Sequence, residues 1–277
     1  MSQGKRNKIL AVRGVIKSIV RPLLLRIFNA GEFFRKGLLP TPILAYHSLD
    51  KSGSSISLDP DIFQQQLAFL ASRRYKVLTL SEYGRYLREG RKLPIPSVVL
   101  TFDDGFANFL EEGYPALKKY GYRATIFVQT DYIGKKSSFS NDLSFQIMGY
   151  SDLRFLQKEG FEFGAHTCSH ASLTGIPLSR ARTEIVKSKE ILGEVLGEEV
   201  TSFCYPFGDY NQKIEEIVQG ADYQTAVTLD VGNTNSRKNL LALRRVAIGP
   251  RIVPVYFKLI LGGNFQIYHN LFQLPFR

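Results

Sequence analysis

Several residue types and patterns are scarce in this sequence, and each scarcity excludes a class of protein. Two cysteines, Cys168 and Cys204, are too few for a disulfide framework. No run of about twenty uncharged apolar residues occurs, so the sequence predicts no transmembrane helix. Acids are almost missing from both ends: residues 1–40 hold nine Lys/Arg and one acid, and residues 231–277 hold seven Lys/Arg and none. The formal net charge of +11 therefore belongs to the ends, whereas a nucleic-acid enzyme carries basic residues around its cleft.

Three segments follow from this charge pattern: a basic helical extension over 1–40, a folded domain over 41–250 and an aromatic, apolar tail over 251–277. In the extension, basic residues recur every four positions within an apolar run, which is typical of a helix lying in a membrane interface. A helix packed on the domain with a solvated basic face is the alternative. Because no signal peptide is recognisable, we expect a position on the cytoplasmic side, peripheral to the membrane. An atypical N-terminal anchor would place the domain outside.

Short β-rich runs alternate with helical patterns through the middle of the chain. The predicted strands are 42–47, 97–102, 124–129, 161–166, 202–206 and 225–229. The predicted helices are 59–74, 81–88, 109–120, 152–158, 179–196 and 211–218. Strands that alternate with helices predict an α/β fold with a parallel sheet and outer helices, and a (β/α) barrel fits best. In such barrels the chemistry lies at the carboxyl ends of the strands.

Polar residues cluster at those strand ends. In TFDDG (101–105), Asp103 and Asp104 follow an apolar strand, and Gly105 lets the chain turn freely. Two carboxylates this close repel each other and burial adds to the cost, so a bound cation is the obvious compensation. Because successive side chains of an extended chain point in different directions, one Asp can bind a metal while the other handles a proton.

A second cluster, GAHTCSH (164–170), places His166 and His170 four residues apart. That spacing brings two imidazoles together on one turn of helix or on a helix-like loop. Two His and one carboxylate with open positions are a ligand set for Zn²⁺ or a similar ion in a catalytic site. Thr167 stands where the zinc-protease signature requires Glu, which excludes that class. Two structural or surface histidines are the alternative, which their place at a strand end beside the Asp pair disfavours.

In this order, TFDDG (101–105), HTCSH (166–170) and YPFG (205–208) resemble the first three motifs of the polysaccharide deacetylases, carbohydrate esterase family four. The resemblance covers residues 40–250. PILAYHSL (42–49) and FCYPFG are most similar to the branch that deacetylates poly-N-acetylglucosamine and related exopolysaccharides. The family implies a distorted barrel, one divalent metal ion and removal of N- or O-acetyl groups from sugars.

The resemblance also implies a role for each motif. Asp104, His166 and His170 would hold the metal, with Zn²⁺ favoured over Co²⁺ and Ni²⁺. Asp103 would be the general base that takes a proton from the metal-activated water. The backbone N–H of Phe207 in YPFG would stabilise the oxyanion. An ordinary turn after a strand is the alternative reading of YPFG.

One departure from the family pattern concerns the partner of the base. The usual third motif carries an Arg that orients the base aspartate, and TSFCYPFG (201–208) contains none. We predict that Arg245, or with less support Arg244, reaches Asp103 from the segment ALRRV (242–246). A solvated basic pair is the alternative.

A second departure concerns the general acid. The late Leu-x-His motif, whose His protonates the leaving amine, is absent, and so is the Trp of the fourth motif, since the chain has no Trp. His47, at the end of the first predicted strand, is the remaining candidate for the acid or for a substrate contact. A structural His is the alternative. His269 lies in the tail with unsuitable surroundings.

The sequence therefore predicts a metal-dependent hydrolase that removes acetyl groups from N-acetylated sugars of a polysaccharide or a lipid-linked glycan. A catalytically inert carbohydrate-binding relative of the same fold is the alternative. The complete ligand set with Asp103 argues against that alternative, and the missing late motifs argue for it. A nucleic-acid binder is suggested by charge alone. A non-sugar amidohydrolase is compatible with the motifs.

Overall fold

A computed structural model describes residues 40–140, 143–262 and 265. The basic helix predicted near the N-terminus, His269 and the end of the C-terminal tail lie outside these residues. The strands are β1 Ile43–Tyr46, β2 Ser48–Leu49, β3 Ser57–Leu58, β4 Lys76–Leu78, β5 Ser97–Phe102, β6 Thr125–Val128, β7 Lys136–Ser140, β8 Leu143–Gln146, β9 Glu162–Ala165, β10 Ser202–Cys204, β11 Thr225–Val231 and β12 Leu243–Ala247. The helices are α1 Pro60–Ser72, α2 Leu80–Glu89, α3 Gly113–Lys118, α4 Tyr150–Lys158, α5 Leu178–Leu196, α6 Gln212–Gly220 and α7 Pro254–Leu261.

Seven parallel strands close into a barrel in the order β1-β12-β11-β10-β9-β6-β5, with β5 pairing back to β1. The closure is irregular at β5, because β4 pairs with the first half of that strand and β6 with the second half. A register shift between β11 and β12 adds a further irregularity. The predicted distorted (β/α) barrel is confirmed.

The strand register places the carboxyl ends of the barrel strands at one edge. Tyr46 pairs with Phe102, which in turn pairs with Ile126. Ala165 pairs with Val128 on one side and with Phe203 on the other. The residues that follow β1, β5, β9 and β10 therefore meet at the same mouth, where this class of barrel carries its chemistry.

Each of the six predicted strands coincides with a barrel strand. The sequence does not predict the other two strands of the main sheet, β4 and β12. β4 has only three residues, which run from exposed to buried, and such a length carries no periodic signal. The sequence of β12 is LRRVA, and its two adjacent arginines interrupt the apolar run by which a buried strand is recognised. One of those arginines points into the barrel and the other outward, as strand alternation requires.

The helices begin and end where local chemistry dictates. The Asp59 side chain accepts the Asp61 N–H at the start of α1, and Pro60 occupies the first turn. Thr79 and Glu82 form a capping box at the start of α2. The helix predicted over 109–120 is shorter than expected: a 3₁₀ turn covers Ala107–Phe109, and α3 begins only at Gly113.

Part of the apolar C-terminal tail belongs to the core. Helix α7 buries Phe257, Leu259, Ile260 and Leu261 in the same hydrophobic cluster as the barrel. Packing within the protein therefore accounts for the apolar character of this part of the tail. None of the helices within the described residues combines the length and hydropathy needed to cross a bilayer.

Candidate metal centre and active site

The two adjacent aspartates enter the barrel mouth through a left-handed turn. Asp104 and Gly105 have φ angles of 71° and 73°, and a Cβ on Gly105 would lie 3.3 Å from the Val128 side chain. This turn directs both carboxylates inward, so that Asp103 and Asp104 are 3% and 2% exposed. Burial and the charge of Asp103 raise the pKa of Asp104 well above its usual range. An adjacent cation would reverse that shift.

His166 and His170 bring two imidazoles to Asp104. His166 follows β9, and its Nδ1 lies 2.8 Å from the carbonyl oxygen of Cys204. The Nε2 atoms of His166 and His170 lie 3.6 and 3.3 Å from Asp104 Oδ1. The loop between them is not a helical turn, because Thr167 and His170 have φ angles of 63° and 58°. The imidazoles therefore meet through a bent loop.

These three side chains fit a single divalent ion. One ligand atom from each of Asp104, His166 and His170 lies within 4.8 Å of the others. Asp104 Oδ1 is buried and has no hydrogen-bond partner among the described residues, which leaves it free to ligate. Burial lowers the pKa of His166 to about 4; burial and then the charge of His166 lower the pKa of His170 to about 3. Both imidazoles are therefore neutral at pH 7, as metal ligation requires.

Asp103 is held by Arg245, the arginine that the sequence analysis favours over Arg244. Nη1 and Nη2 of Arg245 donate to the two carboxylate oxygens of Asp103, each at 2.7 Å. Arg245 is fully buried in β12 and also donates to the Thr228 carbonyl and the Thr101 hydroxyl. Burial alone would raise the pKa of Asp103, but the charge and hydrogen bonds of Arg245 hold it well below its usual range. Asp103 is therefore an oriented, unprotonated carboxylate beside the candidate metal.

Arg244 has no part in this arrangement, because its side chain is exposed on the outer face of β12. Its backbone N–H donates to Asn235 and its carbonyl accepts from the same side chain. The solvated basic pair considered as an alternative is wrong for Arg245 and describes only Arg244.

A second group of potential ligands, Asp103, His166 and Cys204, also lies within 4.8 Å. It is a poor cation site because both oxygens of Asp103 already accept from Arg245. Nη2 of Arg245 also lies 3.1 Å from Cys204 Sγ. Burial raises the pKa of the Cys204 thiol well above its usual range, which disfavours the thiolate that a metal needs.

His47 lies at the same mouth. Its Nε2 is 3.8 Å from Asp103 Oδ2, and its side chain is 18% exposed. Burial lowers the pKa of His47, while the charge of Asp103 opposes the shift. A partly exposed imidazole beside the base can donate a hydrogen bond or a proton to a bound molecule.

Phe207 forms another wall of the mouth. It has left-handed angles of φ 60° and ψ 5° inside the Pro206–Gly208 turn, and its ring is 62% exposed. The ring lies edge-on to His170, with centroids 4.7 Å apart. Gly208 fixes the turn, because a Cβ there would lie 2.5 Å from the Leu229 backbone nitrogen. Its exposed ring and disfavoured backbone conformation make Phe207 a candidate functional residue.

Comparison with known proteins identifies the family. The polysaccharide deacetylase family model matches residues 90–226. YxkH of Bacillus subtilis (strain 168), a protein assigned to the polysaccharide deacetylases, is 30% identical over 209 residues, which are 76% of this chain and 71% of YxkH. The chain belongs to the polysaccharide deacetylase family.

Two further relatives of this family member are a poly-N-acetylglucosamine deacetylase, which fits the exopolysaccharide branch, and a deacetylase of known structure. The poly-beta-1,6-N-acetyl-D-glucosamine N-deacetylase of Staphylococcus aureus (strain MRSA252) is 26% identical over 77% of this chain and 75% of its own length. The structure of the Streptococcus pyogenes deacetylase PplD in complex with acetate superposes with a TM-score of 0.72. It is 27% identical and covers 80% of this chain and 98% of PplD.

The sequence predicts neither Glu184 nor Asp209, two residues that tie the site together. Glu184 of α5 accepts hydrogen bonds from the loop between the two histidines. A signal for it exists, since Glu184 falls on the buried stripe of α5 with Ala181 and Ile185. Asp209 accepts hydrogen bonds from the hydroxyls of Ser172 and Thr174. These bonds join the Pro206–Gly208 turn to the segment that follows His170. No local sequence pattern predicts that contact.

Proposed function

We propose that this chain is a metal-dependent deacetylase that removes acetyl groups from N-acetylated sugars of a polysaccharide or a lipid-linked glycan. One observation carries the proposal: Asp104, His166 and His170 converge on one point, while the neighbouring Asp103 stays outside that set in the fork of Arg245. The site thus offers a ligand set and a separate base. A divalent ion bound there, which we take to be Zn²⁺, supplies Lewis-acid chemistry to the acetyl carbonyl and to water.

Asp103 has the position and charge of a general base. Arg245 occupies one lone pair on each carboxylate oxygen, and each oxygen keeps further accepting capacity. As water adds to the acetyl carbon, its proton passes to Asp103. The C–N bond then breaks, the amine nitrogen receives a proton, and acetate and a free amine are the products.

Two further groups at the mouth complete the proposed reaction. The backbone N–H of Phe207 donates to the oxygen that gains negative charge in the tetrahedral state. His47, beside Asp103, donates to the leaving nitrogen or to a sugar hydroxyl. The missing late histidine motif makes His47 the available imidazole, because His47, His166 and His170 are the histidines of the described residues.

The substrate class rests on the relatives and on the mouth of the barrel. A relative is named as a poly-beta-1,6-N-acetyl-D-glucosamine N-deacetylase. The exposed ring of Phe207 offers an apolar face beside His170, as expected for a surface that packs against a sugar ring. We therefore propose a β-linked N-acetylglucosamine polymer as the first substrate to test.

Acetate release tests the proposal. The full chain, stripped with a chelator, is incubated with oligomers of β-1,6-linked N-acetylglucosamine and then supplied with Zn²⁺, Co²⁺ or Ni²⁺. We expect acetate and free amine in equal amounts after metal is restored, and about 10²–10⁴-fold slower release from Asp103→Asn. Release that is unaffected by the chelator would contradict the metal-dependent mechanism.

The inert carbohydrate-binding relative remains the second candidate, because the family's late histidine motif is absent from the sequence. It predicts binding of the same oligomers without acetate release under any metal. The complete ligand set and the buried Asp103–Arg245 fork favour the enzyme, since an inert protein has no need to maintain a costly buried ion pair.

We also propose peripheral membrane contact through the basic N-terminal segment, on the cytoplasmic side. The proposal rests on the sequence of residues 1–40, which contains nine Lys/Arg and only one acidic residue. Sedimentation of the full chain with anionic vesicles at low salt is expected, and equal binding to neutral vesicles would contradict it.

A further inference from the structure

The two histidines of the candidate metal centre are held in different ways. His166 directly follows β9, and its ring is fixed by the contact between Nδ1 and the Cys204 carbonyl. His170 lies four residues further on, in a loop without regular structure. Thr167 and His170 both adopt left-handed backbone angles, which residues with a Cβ normally avoid. A loop with two such residues keeps its shape only when groups outside it hold it in place.

Backbone N–H groups of Thr130 and Asp131 hold the loop from one side, where they donate to the carbonyls of Thr167 and Cys168. Glu184 supplies the side-chain contacts from helix α5. Its Oε2 accepts the backbone N–H groups of Cys168 at 3.0 Å and Ser169 at 2.8 Å. Its Oε1 accepts the Ser169 hydroxyl at 2.7 Å. The carboxylate thus binds two of the three residues between His166 and His170, Cys168 and Ser169.

The position of Glu184 is unusual for a charged residue. It is 7% exposed and lies on the buried stripe of α5, where an apolar side chain would otherwise pack. Among the described residues, the nearest cation to Glu184 is one helical turn away, where Arg180 Nε lies 4.0 Å from Oε1. The charge is therefore stabilised mainly by the loop that it binds, through hydrogen bonds to an ionised acceptor, which are stronger than neutral ones.

We propose that Glu184 is a positioning residue for the metal centre. By fixing the backbone at Cys168 and Ser169, it holds the bent loop in the shape that keeps His170 Nε2 within 3.3 Å of Asp104 Oδ1. Glu184 acts through the loop and touches neither the ion nor the substrate. The inference rests on the proposed function, because it takes Asp104 and the two histidines as metal ligands.

Zinc affinity separates positioning from simple stabilisation. The full chain is stripped with a chelator and titrated with Zn²⁺ in a calorimeter, and the thermal midpoint of each apo protein is recorded alongside. Glu184→Ala is expected to weaken Zn²⁺ binding by about ten- to a hundredfold, as is usual when a group that supports metal ligands is removed. Glu184→Gln is expected to keep most of the wild-type Zn²⁺ affinity, because an amide oxygen still accepts both backbone N–H groups.

Glu162 provides the matched control. It is another partly buried carboxylate with several hydrogen bonds, but it lies at the start of β9, at the opposite end of the barrel from His166. Its partners are Ser81, Thr125 and Ser202. Glu162→Ala should therefore lower the thermal midpoint while its Zn²⁺ affinity stays within about twofold of wild type.

Each result decides one question. Affinity that is unchanged in Glu184→Ala, or that falls equally in Glu162→Ala, overturns the positioning role. Should Glu184→Ala fail to fold, Glu184→Asp takes its place, since it keeps the charge but withdraws the carboxylate by one methylene; unchanged affinity there overturns the role as well. A wild-type chain that binds no Zn²⁺ contradicts the proposed function itself.

Discussion

The carboxylate of Asp103 and the guanidinium of Arg245 meet in a two-bond fork, although 142 positions separate them in the sequence. Asp103 directly follows β5 and Arg245 lies in β12, and closure of the barrel brings them together. The fork keeps Asp103 ionised in a buried place and turns it toward the candidate metal ligands. The first prediction follows from this contact.

Arg245→Lys is expected to lower kcat by about ten- to a hundredfold, because an ammonium group cannot form the planar fork that orients the carboxylate. Loss of those hydrogen bonds raises the pKa of Asp103, so the acid limb of the kcat/KM profile should move to higher pH. Rates of acetate release between pH 4 and 9 measure both effects.

The exposed neighbour Arg244 is the control, since Arg244→Lys should leave the rate and the profile unchanged. Lys is preferred to Ala at position 245, because Ala would leave a buried, unpaired carboxylate at a cost of about 3–5 kcal/mol. A normal rate in Arg245→Lys would exclude an orienting role.

The adjacent aspartates should respond differently to the same change. Asp103→Asn is expected to reduce turnover by about 10²–10⁴-fold and to keep Zn²⁺ affinity, because it removes a base but no ligand. Asp104→Asn should lose Zn²⁺ binding and activity together, since it replaces a charged ligand oxygen by a neutral one. Calorimetric titration with Zn²⁺ beside acetate assays separates the two, and equal affinities in the two variants would refute the division of roles.

Much of this site could be predicted from the sequence because its chemistry is local. TFDDG and HTCSH each carry their key residues within a few positions, and apolar runs fix the strands that present them. Arg245 was predicted because the arginine of the third motif is missing and a replacement was needed. That reasoning favours Arg245 but keeps Arg244 as a candidate, and the alternation of side chains along β12, a strand that the sequence does not predict, decides between them.

The remainder depends on contacts that no local pattern encodes. Left-handed angles at Thr167 and His170 are not signalled by residues that usually avoid them. Glu184 meets the histidine loop only because α5 packs across it. The spacing predicts that the imidazoles meet on a helical turn or a helix-like loop; they do meet, but on a bent loop. Spacing fixes how far apart two residues are along the chain, while tertiary contacts fix the shape of the chain between them.

His47→Gln is expected to lower kcat by about ten- to a hundredfold, since it removes an imidazole next to the base and keeps a polar side chain of similar length. Zn²⁺ affinity should stay at the wild-type value, because His47 is not among the predicted ligands. Turnover close to normal would remove His47 from the mechanism and leave protonation of the amine to water.

Phe207→Gly tests the exposed ring without removing the backbone N–H. Glycine adopts the left-handed angles of this position freely, so stability should be unchanged or higher by about 1 kcal/mol. KM for the oligomers should rise several-fold, because the apolar face beside His170 is lost. Phe207→Tyr, which keeps the ring, should behave like wild type, and an unchanged KM in the glycine variant would exclude the ring from substrate binding.

X-ray absorption at the zinc edge of the Zn²⁺-loaded full chain tests the metal centre most directly. Binding by Asp104, His166 and His170 predicts one zinc per chain with a shell of nitrogen and oxygen at about 2.0–2.2 Å, including imidazole scattering and no sulfur. Absence of bound zinc would contradict the account, as would a sulfur shell at about 2.3 Å, which would place the ion on Cys204 instead.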